Sequence, residues 1–475
     1  MRSSRVTPNR TGKHRVGMMR ISLLIACSVA LACTFAIACT SAFAVDRATA
    51  RFKRVLLGRH DVARVAAMRS IPPDFQSRLS ALPIVTECLE DLVDDPVLRR
   101  AQERGLTDLP DGIAAMIDFV GTIDRPEATE SLVALLDCGH LSWALASTAT
   151  LGKHQHHAAV EPLASMTDSD FFRDNYGYRY TLARSLKDME HPGAWEALAK
   201  LYDQVGGQLA HRLRQEFSDV TVDQFLGDQQ RFQQWRGLVG LSPAKEVVQA
   251  AALTNAPDNK AADNEAPDQA NPSRLTGEMK LQPSVDAASY LKEERHLGRS
   301  KYYGIDIYAQ RMLFIIDRSG SMNTQVGSRT RLQRAKRELI TALDGLDEAC
   351  EFGILVFDRN VRAWREELVP ATESNKREAI QFVQYLSAGS STNTHAALCR
   401  GLNFDAQMEA IFLLTDGKPT YGQLVQPAAI LTDVLRRNES RHVTVNTIAI
   451  AVEPLMQGFL RNLAEPSGGE FRVVN

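Results

Sequence analysis

Five hydroxyl and carboxylate side chains are the strongest candidates for chemistry in this 475-residue chain. The sequence Asp-Arg-Ser-Gly-Ser at residues 317–321 follows a continuous apolar run, and Thr-Asp-Gly at residues 415–417 follows another. Between them, Ser-Ser-Thr-Asn-Thr at residues 390–394 precedes a helical stretch. The candidate ligands are Asp317, Ser319, Ser321, Thr392 and Asp416. Oxygen ligands without His or Cys suit a hard divalent ion, so this set predicts a site for Mg²⁺ or Mn²⁺.

Strands and helices alternate around these motifs. Apolar runs without polar alternation predict parallel strands that are buried on both faces. The predicted strands cover residues 312–316, 352–357, 410–414, 443–450 and 471–474. The predicted helices cover about 329–344, 373–386, 394–402, 424–438 and 455–464. This order predicts a doubly wound α/β sheet with right-handed crossovers, and residues 361–364 are expected to add a short antiparallel edge strand. Ligands of such sheets bind beyond the carboxyl ends of the strands, where the motifs fall.

The three motifs, in this order, resemble the D-x-S-x-S, Thr and Asp constellation of the von Willebrand factor type A (VWA) domain. The resemblance covers residues 300–475 and implies a Rossmann-like, mostly parallel sheet with a metal-ion-dependent adhesion site (MIDAS). It implies that Ser319, Ser321 and Thr392 reach the ion with their hydroxyl groups. Asp317 and Asp416 would act largely through bound water.

The resemblance also implies what completes the metal shell. Neutral hydroxyl ligands leave the ion under-neutralised, so it favours an Asp or Glu carboxylate from a protein partner as its last ligand. The alternative is a vestigial site that keeps the fold and binds no metal. Arg318 and Lys418 flank the two aspartates and are interpreted as solvated surface residues, with attraction of an acidic partner as the alternative. Asp358 follows a strand without a motif and is interpreted as a loop residue.

The first half of the chain predicts an all-α domain over residues 45–245, because its apolar residues recur every three or four positions. Three similar segments begin at Thr129, Val160 and Trp195, which lie 31 and then 35 residues apart. This period resembles degenerate HEAT-type repeats over roughly residues 112–210, in which stacked helix pairs bury a shared core. An irregular helical bundle is the alternative. Either arrangement predicts a scaffold or a protein-binding surface.

Several residues of this half could bind ligands, although a simpler interpretation is favoured for each. The histidines at 154, 156 and 157 are interpreted as a solvated turn rather than metal ligands. The aromatic residues between 171 and 180 are expected to pack a long loop between helices rather than form an exposed platform. Phe232 and Trp235 lie three residues apart, so they share one helix face and are expected to close the helical domain. An exposed docking pair is the alternative.

Residues 1–44 read as a secretory signal peptide, with a basic start, an apolar run at 21–39 and a final Ala-Phe-Ala. The apolar run is also long enough for an uncleaved membrane anchor, and this alternative stays open.

The composition of the chain changes when the leader is left out. Without it, 49 basic residues oppose 57 acidic ones, so the net charge changes from −2 to −8. Four cysteines remain, and their wide spacing favours free thiols. Residues 254–285 are rich in Asn, Asp, Ala and Pro, and residues 246–299 are therefore expected to form a flexible linker.

These features together predict an exported, non-enzymatic binding protein of the periplasm, cell envelope or extracellular space. Its MIDAS would bridge to an acidic group on a protein partner, and its helical half would act as a scaffold. An acidic mature chain argues against a nucleic-acid partner. One alternative is a structural cell-envelope assembly protein whose helical half binds the partners. A metal-dependent hydrolase is a further alternative, but the motifs contain no His or Glu that could act as a general base.

Overall fold

The computed structural model describes residues 47–98, 109–241 and 300–474. The predicted signal peptide at 1–44 and the predicted linker at 246–299 lie outside the described residues. The described residues form two compact units, the first of residues 47–98 and 109–123 and the second of residues 124–241 and 300–474. In these described ranges, every helix is too short or too polar to cross a membrane. The domain boundaries predicted at 245 and 300 remain predictions.

The first unit is helical. After a helical stretch through residues 47–56, it contains α1 (Asp61–Arg69), α2 (Phe75–Val93) and α3 (Asp111–Gly121). Asp74 caps α2 by accepting a hydrogen bond from the Ser77 amide at 2.9 Å, which satisfies one of the free amides of the first turn. The predicted apolar spacing is confirmed on α3, where the residues at 113, 116, 117 and 120 are all buried.

Helices also fill the first part of the second unit, as predicted. They are α4 (Pro126–Ala134), α5 (Leu141–Lys153), α6 (Val160–Ser165), α7 (Asp170–Asp174), α8 (Tyr176–Asp188), α9 (Pro192–Tyr202), α10 (Gly207–Phe217) and α11 (Gln229–Leu238). The three similar sequence segments lie on α4, α6 and α9. Helix α8 packs against α5, α6 and α9, so neighbouring helix pairs share one core. This stacking is consistent with the helical-repeat interpretation.

Phe232 and Trp235 close the end of this helical stack, as expected from their spacing. Both are buried, and the Trp235 Nε1–H donates to the carbonyl oxygen of Trp195 at 2.9 Å. The two indole rings meet edge to face with centroids 5.9 Å apart. Because the pair is fully packed, the alternative of an exposed aromatic docking pair is wrong.

The histidine turn differs from its predicted solvated state. His156 is only 2% exposed, and its Nδ1 lies 2.7 Å from the Thr129 hydroxyl on α4. His157 Nε2 contacts the carbonyl oxygen of Met189 at 3.0 Å. The histidines therefore join α4 and α8 to the turn between α5 and α6. The nearby aromatic residues pack as expected, since Phe172, Tyr176 and Tyr178 are buried, but they lie on helices rather than in a loop.

The C-terminal part of the second unit is a seven-stranded, mostly parallel sheet within residues 300–474, with helices on both faces. Its strands run in the order β11-β10-β9-β3-β6-β7, and β8 also pairs with β6. The sheet strands are β3 (Arg311–Asp317), β6 (Glu351–Phe357), β7 (Val361–Ala363), β8 (Val369–Pro370), β9 (Ala410–Thr415), β10 (Thr444–Ile450) and β11 (Phe471–Val474). The helices are α12 (Arg331–Asp344), α13 (Glu373–Gln384), α14 (Thr394–Leu402), α15 (Pro427–Asn438) and α16 (Pro454–Ala464). The predicted α/β fold and the antiparallel edge strand β7 are confirmed.

Alternate residues of the central strand β3 enter two separate cores. Phe314 packs with α12 and α13 on one face, whereas Leu313 and Ile315 pack with α14, α15 and α16 on the other. This burial on both faces explains why the strand reads as a continuous apolar run. Two hairpins were not predicted, β1 (Lys301–Tyr302) with β2 (Ile305–Asp306), and β4 (Gln325–Val326) with β5 (Arg329–Thr330).

The helical stack and the sheet contact each other within the second unit. Glu409, which directly precedes β9, is 5% exposed. Its Oε2 accepts a hydrogen bond from the Gln208 amide at 2.7 Å and another from the Gln310 amide at 3.2 Å. Gln208 lies in the first turn of α10, whose N-cap residue Gly206 has no side chain to offer. A carboxylate from the sheet therefore caps a helix of the stack.

Candidate metal centre

The register of two central strands brings the first and last motifs together. β3 and β9 are parallel neighbours, with Ile316 paired to Leu414. Asp317 ends β3 and Thr415 ends β9, so both chains leave the sheet at the same edge. The loop before α14 reaches this edge as well, because the Ser390 carbonyl oxygen accepts a hydrogen bond from the Gly320 amide at 3.0 Å. All three motifs thus meet beyond the carboxyl ends of the strands.

Asp317 is completely buried and anchors the first motif. Its Oδ1 accepts a hydrogen bond from the Ser319 amide at 2.7 Å, and its Oδ2 accepts one from the Thr415 hydroxyl at 2.6 Å. Burial raises the pKa of Asp317 to about 7, although these hydrogen bonds oppose the shift. Hydrogen bonds therefore fix the position of the carboxylate, but they only partly offset the cost of burying its negative charge.

A chain of short contacts joins the serines to Asp416. The Ser319 and Ser321 hydroxyl oxygens are 3.1 Å apart, and the Ser321 hydroxyl donates to Asp416 Oδ1 at 2.8 Å. A Cβ placed on Gly417 would lie 3.4 Å from Ser321 Oγ and 3.7 Å from Thr392 Oγ1. The Thr392 hydroxyl therefore faces the same space as Ser321, and the structure brings all five predicted residues to one place.

Thr392 is positioned by the loop that follows β9. Its amide donates to the Thr420 hydroxyl at 2.9 Å, while its carbonyl oxygen accepts from the Thr420 amide at 2.9 Å and from the Tyr421 amide at 3.2 Å. These bonds tie the second motif to the third through the backbone. The position of the Thr392 side chain is thus set by neighbouring loops rather than by a regular element.

Comparison with known proteins identifies the family of the region that forms this sheet. The family model of the von Willebrand factor type A domain matches residues 312–475. Residues 312–475 belong to the von Willebrand factor type A domain family. The matched region begins in β3 and includes all three motifs, so the expected family is confirmed.

The similar proteins match a minor part of this chain and a small part of their own length. Human von Willebrand factor A domain-containing protein 3A is 32% identical over 182 residues, which are 37% of this chain and 14% of that protein. Human inter-alpha-trypsin inhibitor heavy chain H4 is 28% identical over 183 residues, covering 36% of this chain and 19% of that protein. Among solved structures, a von Willebrand factor type A protein from Catenulispora acidiphila is 22% identical, with a TM-score of 0.30 and coverage of 35% and 38%.

Arg331 of the VWA domain contacts the site without being part of any motif. Its Nη1 donates to Asp416 Oδ2 at 2.7 Å, and the Asp416 side chain is fully buried. Arg331 occupies the first position of α12, where Thr330 and Gln333 form a reciprocal capping box. The capping box could be read from the sequence, but the contact between residues 331 and 416 could not. The guanidinium group neutralises a buried carboxylate whose other oxygen accepts a hydrogen bond from the uncharged Ser321 hydroxyl.

Arg318 differs from its predicted role, whereas Asp358 lies in a loop, as predicted. Arg318 is not simply solvated, since its Nη2 donates to Asp358 Oδ2 at 2.8 Å. Asp358 is 8% exposed, and its carbonyl oxygen accepts from the Asn393 amide at 2.9 Å. Burial opposes ionisation of Asp358, but hydrogen bonds from the Asn360 amide and Arg318 outweigh it and lower its pKa. Asp358 therefore organises the loops around Thr392, whereas Lys418 is exposed as expected.

The donor set of the VWA domain fits a hard divalent cation. The five side chains that converge offer three hydroxyl and two carboxylate groups. Hydrogen bonds hold the side chains of Asp317, Ser319, Ser321 and Asp416, and backbone hydrogen bonds hold Thr392. A cation bound here would supply positive charge to both aspartates and a coordination position for an external oxygen.

Proposed function

We propose that this chain is an exported, non-enzymatic binding protein whose VWA domain carries a MIDAS. Asp317, Ser319, Ser321, Thr392 and Asp416 hold Mg²⁺ or Mn²⁺, and the ion bridges to an Asp or Glu carboxylate of a protein partner. The helical stack acts as the scaffold that presents the domain. The observation that carries the proposal is the convergence of the five oxygen-bearing side chains at one edge of the sheet.

The electrostatics of the site support a carboxylate as the external ligand. Hydroxyl ligands contribute no charge, and Arg331 already neutralises Asp416 through a direct ion pair. A bound divalent ion therefore keeps an excess of positive charge toward the open side. A carboxylate satisfies that charge better than a neutral ligand. The relatives are consistent with a role in protein binding, and the donor set contains no His or Glu that could act as a general base for hydrolysis.

Export rests on the leader sequence. A cleaved signal peptide at 1–44 places the protein in the periplasm, cell envelope or extracellular space, and an uncleaved leader would anchor it through residues 21–39. N-terminal sequencing of the protein purified from its native compartment tests both outcomes. A mature chain beginning after residue 44 supports cleavage, and recovery of the intact leader in the membrane fraction supports the anchor.

Metal binding is tested by titrating the full chain with Mn²⁺ and following the ion by electron paramagnetic resonance. The variants Ser321→Ala and Thr392→Ala each remove one proposed ligand and are expected to weaken Mn²⁺ binding at least tenfold. Ser390→Ala removes an exposed hydroxyl from the same loop and is the matched control. Equal Mn²⁺ affinities in all four proteins would refute the proposed site.

Bridging is tested separately from metal binding. The full chain is immobilised and exposed to extract of the cell envelope in Mg²⁺ or in EDTA, and the retained proteins are identified. A partner that is retained only in Mg²⁺, and is lost with Ser321→Ala but not with Ser390→Ala, supports the proposal. Retention of the same proteins in EDTA would show that the helical stack, rather than the metal site, binds them.

A further inference from the structure

A second cluster of metal-ligating side chains lies between α14 and α15. His395 and Cys399 are four residues apart on α14, and Asp433 projects from α15. The cluster comprises one imidazole nitrogen, one thiol and one carboxylate oxygen, all within 4.8 Å of one another. None of the five predicted MIDAS ligands contributes to it. We propose that His395, Cys399 and Asp433 form a binding site for a borderline-soft divalent cation, Zn²⁺ first, that is separate from the MIDAS.

The spacing of the three donor atoms matches one face of a zinc tetrahedron. His395 Nε2 lies 2.8 Å from Asp433 Oδ2, Cys399 Sγ lies 3.4 Å from His395 Nε2, and Cys399 Sγ lies 3.8 Å from Asp433 Oδ2. With ordinary zinc–ligand lengths, the edges of such a face are about 3.4 Å between nitrogen and oxygen and about 3.6 Å to sulfur. Small side-chain movements therefore suffice to admit the ion.

The chemistry of the cluster also favours a cation at its centre. His395 Nε2 faces both the thiol and the carboxylate, and the Cys399 thiol donates to Asp433 Oδ2 at 3.8 Å, so the three donor atoms all point toward one another. A metal ion accepts lone pairs from all three groups at once. On binding, the Cys399 thiol releases its proton to solvent, and the imidazole carries its proton on Nδ1. Thiolate and carboxylate then bring two negative charges to Zn²⁺, although Asp433 also pairs with the Arg437 guanidinium group.

The surroundings supply the support that metal ligands need. The His395 side chain is only 6% exposed, so its ring is held in place by packing. Arg437 Nε donates to Asp433 Oδ2 at 2.7 Å and orients the carboxylate from the outside, as an outer partner of a ligand does. Asp433 is 20% exposed and Cys399 is partly exposed, which leaves an approach for the ion and a fourth position for water. A mixed N, S and O donor set selects Zn²⁺ over Mg²⁺.

Sequence reasoning missed this site because its signal is weak. The pair at 395 and 399 has helical i, i+4 spacing, but the third ligand lies 38 residues from the histidine. Only the packing of α14 against α15 brings it within reach. A bound ion would link α14 to α15, which both pack on one face of the sheet.

The experiment uses the full chain and Co²⁺, whose bond to a thiolate gives a charge-transfer absorption that oxygen ligands do not produce. The expected result is a near-ultraviolet charge-transfer band that saturates at one Co²⁺ per chain and disappears when Zn²⁺ is added. Excess Mg²⁺ should leave the band intact, because Mg²⁺ occupies oxygen sites. Absence of the band in the native chain at saturating Co²⁺ would overturn the proposal.

Variants assign the band to the cluster. Cys399→Ser is expected to abolish it, and Asp433→Asn to weaken Co²⁺ affinity at least tenfold. Cys138→Ser removes another partly exposed thiol and is expected to leave the band unchanged. If Cys399→Ser does not fold, His395→Gln is measured instead. A band that survives both Cys399→Ser and His395→Gln would place the thiolate ligand elsewhere and refute the site. Because the MIDAS variant Ser321→Ala is expected to keep the band, the two metal sites are tested independently.

Discussion

The buried carboxylate of Glu409 predicts that the second unit loses stability as the pH rises through the neutral range. Burial raises the pKa of Glu409 to about 7, although hydrogen bonds from the Gln208 and Gln310 amides oppose the shift. In the unfolded chain this carboxyl group titrates near its ordinary value of 4.5. Between these two values the folded state binds more protons than the unfolded state, so rising pH favours unfolding.

The size of the effect follows from the difference between the two pKa values. Each pKa unit corresponds to about 1.4 kcal/mol, so the contribution of Glu409 falls by about 3 kcal/mol between pH 4.5 and pH 7. It is fully present below pH 4.5 and absent above about pH 7. Other acids change the absolute pH dependence, but comparison with Glu409→Gln removes them. The free energy of unfolding of the native chain minus that of Glu409→Gln should therefore fall by about 3 kcal/mol over this range.

Tryptophan fluorescence during urea unfolding is a suitable assay, because all four tryptophans of the chain lie in the second unit. The measurement is repeated from pH 4.5 to pH 8 for both proteins. Glu367→Gln, which removes a charge at an exposed position, controls for the change in net charge. A difference between native chain and Glu409→Gln that stays constant with pH would show that Glu409 is solvated or compensated in solution, and the reasoning from its burial would be wrong.

Two further predictions concern the packing of the helices and the candidate metal centre. A Cβ on Gly177 would lie 2.1 Å from the Ser440 carbonyl oxygen, so Gly177→Ala should destabilise the second unit by about 1–3 kcal/mol in urea unfolding. A Cβ on Gly237 meets no atom within 4 Å. The control Gly237→Ala should therefore be neutral or stabilising by about 0.5–1 kcal/mol. Equal effects of the two would contradict the contact. Arg331→Gln removes the partner of Asp416 and should lower stability without metal by about 3 kcal/mol while tightening Mn²⁺ binding severalfold. Unchanged Mn²⁺ affinity would show that the guanidinium group does not compete with the ion.

The sequence predicted the regular elements of the VWA domain closely because its strands are buried on both faces. The predicted strand at 410–414 became Ala410–Thr415, and the predicted helix at 394–402 became Thr394–Leu402. A doubly buried parallel strand must be apolar at every position, which leaves a clear local signal. The position of the candidate site residues at one edge of the sheet could likewise be predicted, because their motifs stand directly at the ends of such elements; their role as metal ligands stays a prediction.

The contacts that surround the site could not be predicted in this way. Arg331, Asp358 and Glu409 are ordinary charged residues in the sequence, and their partners lie far along the chain. The turn at His156 was interpreted as solvated for the same reason, since Thr129 is 27 residues away. Local patterns determine where helices and strands form, whereas the partner of a buried polar group depends on how they pack.

One strand joins two features of the second unit that the sequence keeps apart. Glu409 precedes β9 and binds the start of α10, while Thr415 and Asp416 lie at the far end of the same strand. β9 is hydrogen-bonded on both sides, to β3 and β10, and its six residues span about 20 Å. β9 therefore fixes the distance between the helical stack and the candidate metal centre. A partner held at the ion would stand at a fixed distance from α10, so any second contact it makes with the scaffold must match that length.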